Sequence, residues 1–188
     1  MSENFKTKEM IAQAMIELMQ SKSLEAVSIQ DIVDKSGFSR RTFYNKFKDK
    51  YEVVEWIFTY HHSILKQKFG EYVSWYRYTL EMAKAVKENK TFYSRLFKDR
   101  GIIESLAVTT RNSFINAIKR NNDMRDDDER LPRVVFLADF YSHAFMHKLA
   151  DWVNYGFRET PEELMQLFNL SISDELRRLL KMPEQPDV

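Results

Sequence analysis

Arg40 and Arg41 stand side by side in the stretch from Ser28 to Lys50, SIQDIVDKSGFSRRTFYNKFKDK. A guanidinium is planar and always charged, and it can grip a phosphate or a guanine edge with two parallel hydrogen bonds. The surroundings reinforce that chemistry. Between Lys35 and Lys50, six basic residues (Lys35, Arg40, Arg41, Lys46, Lys48 and Lys50) stand against one acid, Asp49, a local charge of +5 in a chain whose formal net charge is +1. With so little charge overall, any affinity for a polyanion must come from this patch. A second polar set, Asp139, His143, His147 and Asp151, recurs at every fourth position. Two histidines one helical turn apart can share a metal ion with a nearby carboxylate. The same spacing describes polar residues lining a cavity or an interface on an apolar helix, and that reading is adopted, with no metal and no cofactor expected. The chain has no Gly-rich phosphate loop, Gly-x-Ser-x-Gly elbow or His-Glu-x-x-His run, and no cysteine. Disulfides, thiolate metal sites and cysteine nucleophiles are therefore excluded, and no enzymatic activity is expected.

The basic patch needs elements to hold it. Ser28 is a natural N-cap, with Asp31 three residues on, where a carboxylate complements the first-turn N–H groups. Ile29, Ile32 and Val33 give this helix one apolar face. Gly37 is the place for a left-handed residue that ends it. Phe38 fills the turn and Ser39 caps a second short helix carrying Arg40, Arg41, Thr42, Phe43, Tyr44 and Asn45. Helix, glycine turn and short helix make a helix-turn-helix, whose second helix enters the major groove of DNA. Ser39, Arg40 and Arg41, at its start, are the candidates for reading base edges. Phe43 and Phe47, one turn apart, belong to the core of this small unit. Ahead of it, Ile11, Ala14, Met15, Leu18 and Met19 define a first helix over Thr7 to Gln20, with Thr7 as its cap.

At these residues the chain resembles the tetracycline-repressor-type (TetR/AcrR) transcriptional regulators. Ser28, Gly37, Ser39, Thr42, Tyr44, Phe47 and Lys50 stand where that family has a Ser or Thr opening the second helix, a Gly-x-Ser turn, a recognition helix ending in Tyr-x-x-Phe, and a lysine opening a long fourth helix. The segment Trp152–Gly156 and the run Thr160-Pro161-Glu162-Glu163-Leu164 are similar to the branch that regulates dihydroxyacetone kinase operons. The resemblance implies phosphate contacts from Ser28, Thr42, Tyr44 and Lys50, with Lys46 in the same basic surface. It implies double-stranded, pseudo-palindromic operator DNA as a partner, a homodimer, and a small-molecule effector not yet identified. The paired arginines depart from the family pattern, in which a small residue or glycine is common near Arg41.

Composition agrees with a helical protein. The chain has 188 residues, 44% hydrophobic and 30% charged, with only 4 Gly and 4 Pro. No apolar run approaches the roughly 20 residues of a membrane span, and MSENFKTKEM lacks the apolar core of a signal peptide, so a cytoplasmic protein with no membrane partner is expected. Asp49 caps a helix from Lys50 to Phe69. Further helices are expected over Trp75 to Lys87, Phe92 to Lys98, Ile102 to Asn121 (after a break at Gly101), Pro132 to Tyr155 and Thr160 to Lys181. The fold class is all-α. Residues 1–50 form a three-helix helix-turn-helix domain, and residues 51–188 form a helical ligand-binding and dimerisation domain.

Aromatic residues make up 14% of the chain. Trp56, His61, Trp75, Tyr76, Tyr93, Phe97, Phe114, Tyr141 and Phe145 suit a mostly apolar pocket with a few orienting hydrogen bonds. Phe140, Leu149, Trp152, Leu164, Phe168, Ile172 and Leu176, on the last two helices, are assigned to a four-helix dimer interface. Two other classes compete with this reading. A ligand-sensing adaptor acting through a protein partner would keep the fold and lose the basic residues of the recognition helix, which are present here. A small helical enzyme would have to work through His143 or His147.

Overall fold

The computed structural model describes residues 3–69 and 75–182, with the side chains of residues 61–69, 75 and 78 left out of the description. Ten helices order the described chain: α1 Glu3–Leu18, α2 Ile29–Ser36, α3 Arg40–Tyr44, α4 Lys50–Phe69, α5 Trp75–Glu88, α6 Lys90–Leu96, α7 Arg100–Asn121, α8 Leu131–Asn154, α9 Pro161–Ser171 and α10 Asp174–Leu179. The described residues contain no strand. None of their helices is long and apolar enough to cross a membrane.

The helix-turn-helix forms for the local reasons its sequence carries. The Ser28 hydroxyl accepts from the Asp31 N–H at 3.1 Å, and the Asp31 carboxylate accepts from the Ser28 N–H at 2.8 Å, a reciprocal capping box. Gly37 has φ of +75° and returns its N–H to the Val33 carbonyl at 3.0 Å. The Ser39 hydroxyl accepts from the Thr42 N–H at 3.1 Å and opens α3. Phe43 and Phe47 are buried with ring centroids 6.0 Å apart, packed with Ile11, Met15 and Ile32. Burial of this order is what holds so short a helix as α3 in place, since five residues cannot sustain a helix alone.

Several boundaries differ from the sequence expectation. α1 begins at Glu3, and Thr7 lies inside it, with its hydroxyl donating to the Glu3 carbonyl at 3.0 Å. Gly101 is within the first turn of α7; Asp99 sets that start by accepting from the Ile102 N–H at 3.2 Å. The last expected helix is two. Ile172 is extended (ψ 131°), and Ser173 caps α10 through the Leu176 N–H at 3.2 Å. Ser173 followed by Asp174 and Glu175 is itself a helix-start signal, outweighed in the sequence by the unbroken leucine stripe.

The apolar core is continuous from the helix-turn-helix into the C-terminal helices. The first half of α4 joins them: Val53, Val54, Ile57 and Phe58 are all buried. On its flank, the Tyr60 hydroxyl donates to Glu9 of α1 at 2.9 Å, while Glu55 accepts from Ser105 of α7. α7 packs along α8, and α9 lies along α5 with a Lys84–Glu162 ion pair at 3.2 Å.

Candidate nucleic-acid interface

The turn and the two caps present one polar edge of α3 to solvent. Ser39, Arg40, Arg41 and Tyr44 are exposed, while Phe43, on the opposite side, is sealed in the core. The Tyr44 ring stands edge-on to Phe43 at 5.5 Å, which anchors its base while its outer part meets water. The Ser39 and Thr42 hydroxyls are 3.0 Å apart and rigidify the first turn. Arg40 is steadied from α2, its Nε donating to Gln30 at 2.9 Å, with Gln30 in turn donating to Asp34 at 2.7 Å. Held this way, the guanidinium loses less entropy on docking than a fully mobile one. Lys46 is half-buried and Lys48 exposed beside the same edge.

Two cations of the sequence patch are engaged elsewhere. Lys35 pairs with Glu17 of α1 at 2.9 Å. The Lys50 Nζ donates to the carbonyls of Leu24, Glu25 and Val27 at 2.8, 2.9 and 2.9 Å. An ammonium has three protons, and all three are directed into the loop between α1 and α2. That loop ends at Ser28, so Lys50 fixes where α2 starts relative to α4. The outward-facing cations are therefore Arg40, Arg41, Lys46 and Lys48. Ser28 is exposed, but its hydroxyl is bound within the capping box. Asp31 also holds Lys22 at 2.7 Å. That hydrogen bond first, then those from Ser28, keep the Asp31 carboxyl well below the usual carboxylate range. Neither the Lys22–Asp31 nor the Lys50–carbonyl tie had a sequence signal, because both depend on how the loop folds back.

The aromatic residues assigned to a pocket fall in several places. Trp56 stacks on Tyr60 at 4.8 Å and meets Phe5 and Phe47, so it belongs to the seam between α4 and the helix-turn-helix. Tyr93 and Phe97 pack at 5.6 Å on α6. Phe114, Tyr141 and Phe145 form a separate series, with Phe114–Tyr141 at 5.6 Å and Tyr141–Phe145 at 6.3 Å. All five of these are buried, and burial pushes the Tyr93 phenol well above its ordinary range. Tyr76 is half-buried against the core. The side chains of His61 and Trp75 lie outside the described residues.

Of the interface residues named from the sequence, only Phe140 is exposed, at 70%. Leu149, Trp152, Leu164, Phe168, Ile172 and Leu176 are already buried within their own chain. The break at Ile172 turns α10 back onto α8, and Tyr141 donates its hydroxyl to the Phe168 carbonyl at 3.2 Å, which draws these side chains inward. The large apolar side chains left open on the described α8 and α9 are Val135 (37%), Phe136 (69%), Phe140, Leu167 (55%) and Leu170 (81%).

The Asp139–Asp151 series meets α7 through two residues. Glu104 faces both histidines, His147 Nε2 at 3.0 Å and His143 Nε2 at 3.5 Å, and Arg111 pairs with Asp139 at 3.1 Å; His143 Nδ1 lies 2.8 Å from the Asp139 carbonyl, and Asp151 pairs with Lys148 at 3.1 Å. Among the described residues, no three His, Asp or Glu side chains are grouped to hold a metal ion.

Known proteins match this arrangement at both ends. Residues 11–57 match the family described as bacterial regulatory proteins, tetR family, and residues 73–174 match the transcriptional regulator C-terminal region. A curated relative, the HTH-type dhaKLM operon transcriptional activator DhaS of Lactococcus lactis subsp. lactis (strain IL1403), is 32% identical over 97 residues. That match covers 52% of this chain and spans about half the length of the relative, 52%. Two solved structures share the fold. The dihydroxyacetone kinase operon activator DhaS superposes with a TM-score of 0.61 at 23% identity, over 93% of this chain and 96% of that one. A TetR transcriptional regulator from Streptococcus agalactiae 2603V superposes with a TM-score of 0.59 at 20% identity, over 91% and 96%.

Proposed function

Because this chain belongs to the tetR family of bacterial regulatory proteins, a family of transcriptional regulators, we propose that it binds a pseudo-palindromic operator as a homodimer and changes its grip when a small molecule enters the C-terminal helices. The observation that carries this reading is the outward edge of α3: Ser39, Arg40, Arg41 and Tyr44 exposed together on a helix whose other face is fixed by Phe43. Arg40 and Arg41 read base edges. Thr42, Tyr44, Lys46 and Lys48 meet phosphates, which set register and carry no sequence information. Lys50 contributes by holding the α1–α2 loop.

A division of labour along the chain goes with this reading. Residues 1–50 act on DNA and residues 51–188 sense and dimerise, with α4 shared between them. An effector among Tyr76, Tyr93, Phe97 and the Phe114–Tyr141–Phe145 series displaces α4 and α7, and the helix-turn-helix moves with α4. Effector and operator then oppose each other by one coupling free energy. The DhaS relative is named a transcriptional activator of the dhaKLM operon, so activation is the sign of regulation to test first. No catalytic role is assigned to His143 or His147, and the protein works in the cytoplasm, where its DNA is.

Fluorescence anisotropy with duplexes from upstream of the protein's own gene tests the reading. Binding weakens steeply with salt. Arg40→Ala and Arg41→Ala relax preference at a base position by about 1–3 kcal/mol. If neither variant loses affinity or preference on any such duplex, DNA recognition by α3 is wrong.

A further inference from the structure

A cleft of about 310 Å³ opens between Ser23, Leu24 and Glu25 on one wall and Arg95, Lys98 and Asp99 on the other. The first wall is the loop between α1 and α2. The second is the corner where α6 turns into α7. Arg95 lies in the last turn of α6 and Lys98 in the corner just after it, and both line the same wall. Arg95 is half-buried, Lys98 is exposed, and neither makes an ion pair or side-chain hydrogen bond with another described residue. Two cationic heads on one wall with no described counter-charge favour an anion between the walls. The acids nearby do not supply that counter-charge: Asp99 is turned to the first turn of α7, where it caps Ile102, and Glu25 stands exposed on the opposite wall. The Ser23 hydroxyl oxygen accepts from the Ala26 N–H at 3.3 Å, which leaves its proton to donate across the cleft.

We propose that this cleft binds the anionic head of a small metabolite, a phosphate ester or a carboxylate, on Arg95 and Lys98, with Ser23 completing the contact from the opposite wall. The Ser23–Glu25 wall belongs to the loop whose carbonyls Lys50 holds. A bound anion therefore ties that loop to the α6–α7 corner and restrains the helix-turn-helix against the C-terminal helices. The binding step stands independently of the operator; only its consequence for DNA rests on the function proposed above.

Isothermal titration of the full-length protein with glycerol 3-phosphate, glycerate and glycerol, in buffer free of phosphate and carboxylates, separates the sources. Saturable binding of one or both anions, with none for glycerol, is expected, and the anion that binds identifies the head group. Arg95→Gln and Lys98→Gln should each weaken that binding about tenfold with unchanged melting temperature. The proposal is overturned if neither anion binds with a dissociation constant below roughly 10 mM, or if both variants bind as the parent does. It is also overturned if Arg95→Gln lowers operator affinity while no anion binds, because the cleft then serves DNA phosphate. Anion binding that leaves operator affinity unchanged would overturn the restraint while keeping the site.

Discussion

Lys50 separates two roles that its position in the sequence merges. A lysine that only touched phosphate would be dispensable for folding. Here its ammonium satisfies three loop carbonyls, and hydrogen bonds to a charged group contribute more than neutral ones. Lys50→Met is expected to lower the unfolding free energy by about 2 kcal/mol in urea titrations; an unchanged midpoint would return Lys50 to a purely DNA-facing role. Asp31 makes a pH-dependent counterpart. Its carboxyl is held down by Lys22 first and by Ser28 next, so the folded state binds fewer protons than the unfolded one. The contribution is fully present above the unfolded value of about 3.9, and it is lost as pH falls below that toward the lower folded value. Thermal melts of the parent and Asp31→Asn should differ at pH 6 and converge as pH drops below about 4. Equal separation at all pH values would mean that the charge of Asp31 plays no part.

At the scale of elements, what the sequence states locally is what the structure keeps. Ser28 with Asp31, Gly37, Ser39 and Thr160 with Glu163 are caps set by residues within three or four positions, and each forms as expected. Gly37 tests this directly. A β-carbon there would meet nothing within 4 Å, so Gly37→Ala carries backbone strain alone. The expected loss is about 1–2 kcal/mol, read as a lower urea midpoint with unchanged slope. Long-range choices were hidden. The stripe Leu164, Leu167, Phe168, Ile172 and Leu176 reads as one helix, yet the chain breaks at Ile172 so that two short helices can both reach the core. Glu104 as partner of His147, and Leu24, Glu25 and Val27 as acceptors for Lys50, come from distant segments and have no local pattern. Ser142 on α8 is equally invisible in sequence: it is fully buried, and its hydroxyl has no hydrogen-bond partner among the described residues. Its small size suits a fully buried position on α8, its oxygen does not. Ser142→Ala should keep the size, remove the unsatisfied group and raise stability by up to about 1 kcal/mol. A clear loss of stability would show that the hydroxyl has a partner in solution.

For the whole molecule the decisive question is which apolar surface belongs to the protomer and which to a second copy. The sequence shows only that α8 to α10 carry more apolar residues than one helix face needs. Burial divides them. Leu149, Trp152, Leu164, Phe168, Ile172 and Leu176 are covered by their own chain, so a charge there destroys the fold before it can report on assembly. Phe136 and Phe140 lie one turn apart on the outer side of α8, and Leu167 and Leu170 are exposed on α9, which meets α8 through the Phe145–Phe168 ring contact at 4.5 Å. Two such helices meeting their symmetry mates make a four-helix bundle about a two-fold axis. On the proposed dimer the same axis would present two α3 helices to an operator with half-sites about 34–36 Å apart or a multiple of that. Phe136→Glu with Phe140→Glu should yield a monomer by light scattering at micromolar concentration, with helical content and melting cooperativity retained. Phe168→Glu should instead broaden or abolish the melt. The monomeric double variant should also lose operator affinity in greater proportion than affinity for a single half-site, because the second recognition helix no longer arrives with the first. A dimer that survives both glutamates on α8 would place the two-fold contact on another face and remove the geometric basis for a palindromic operator.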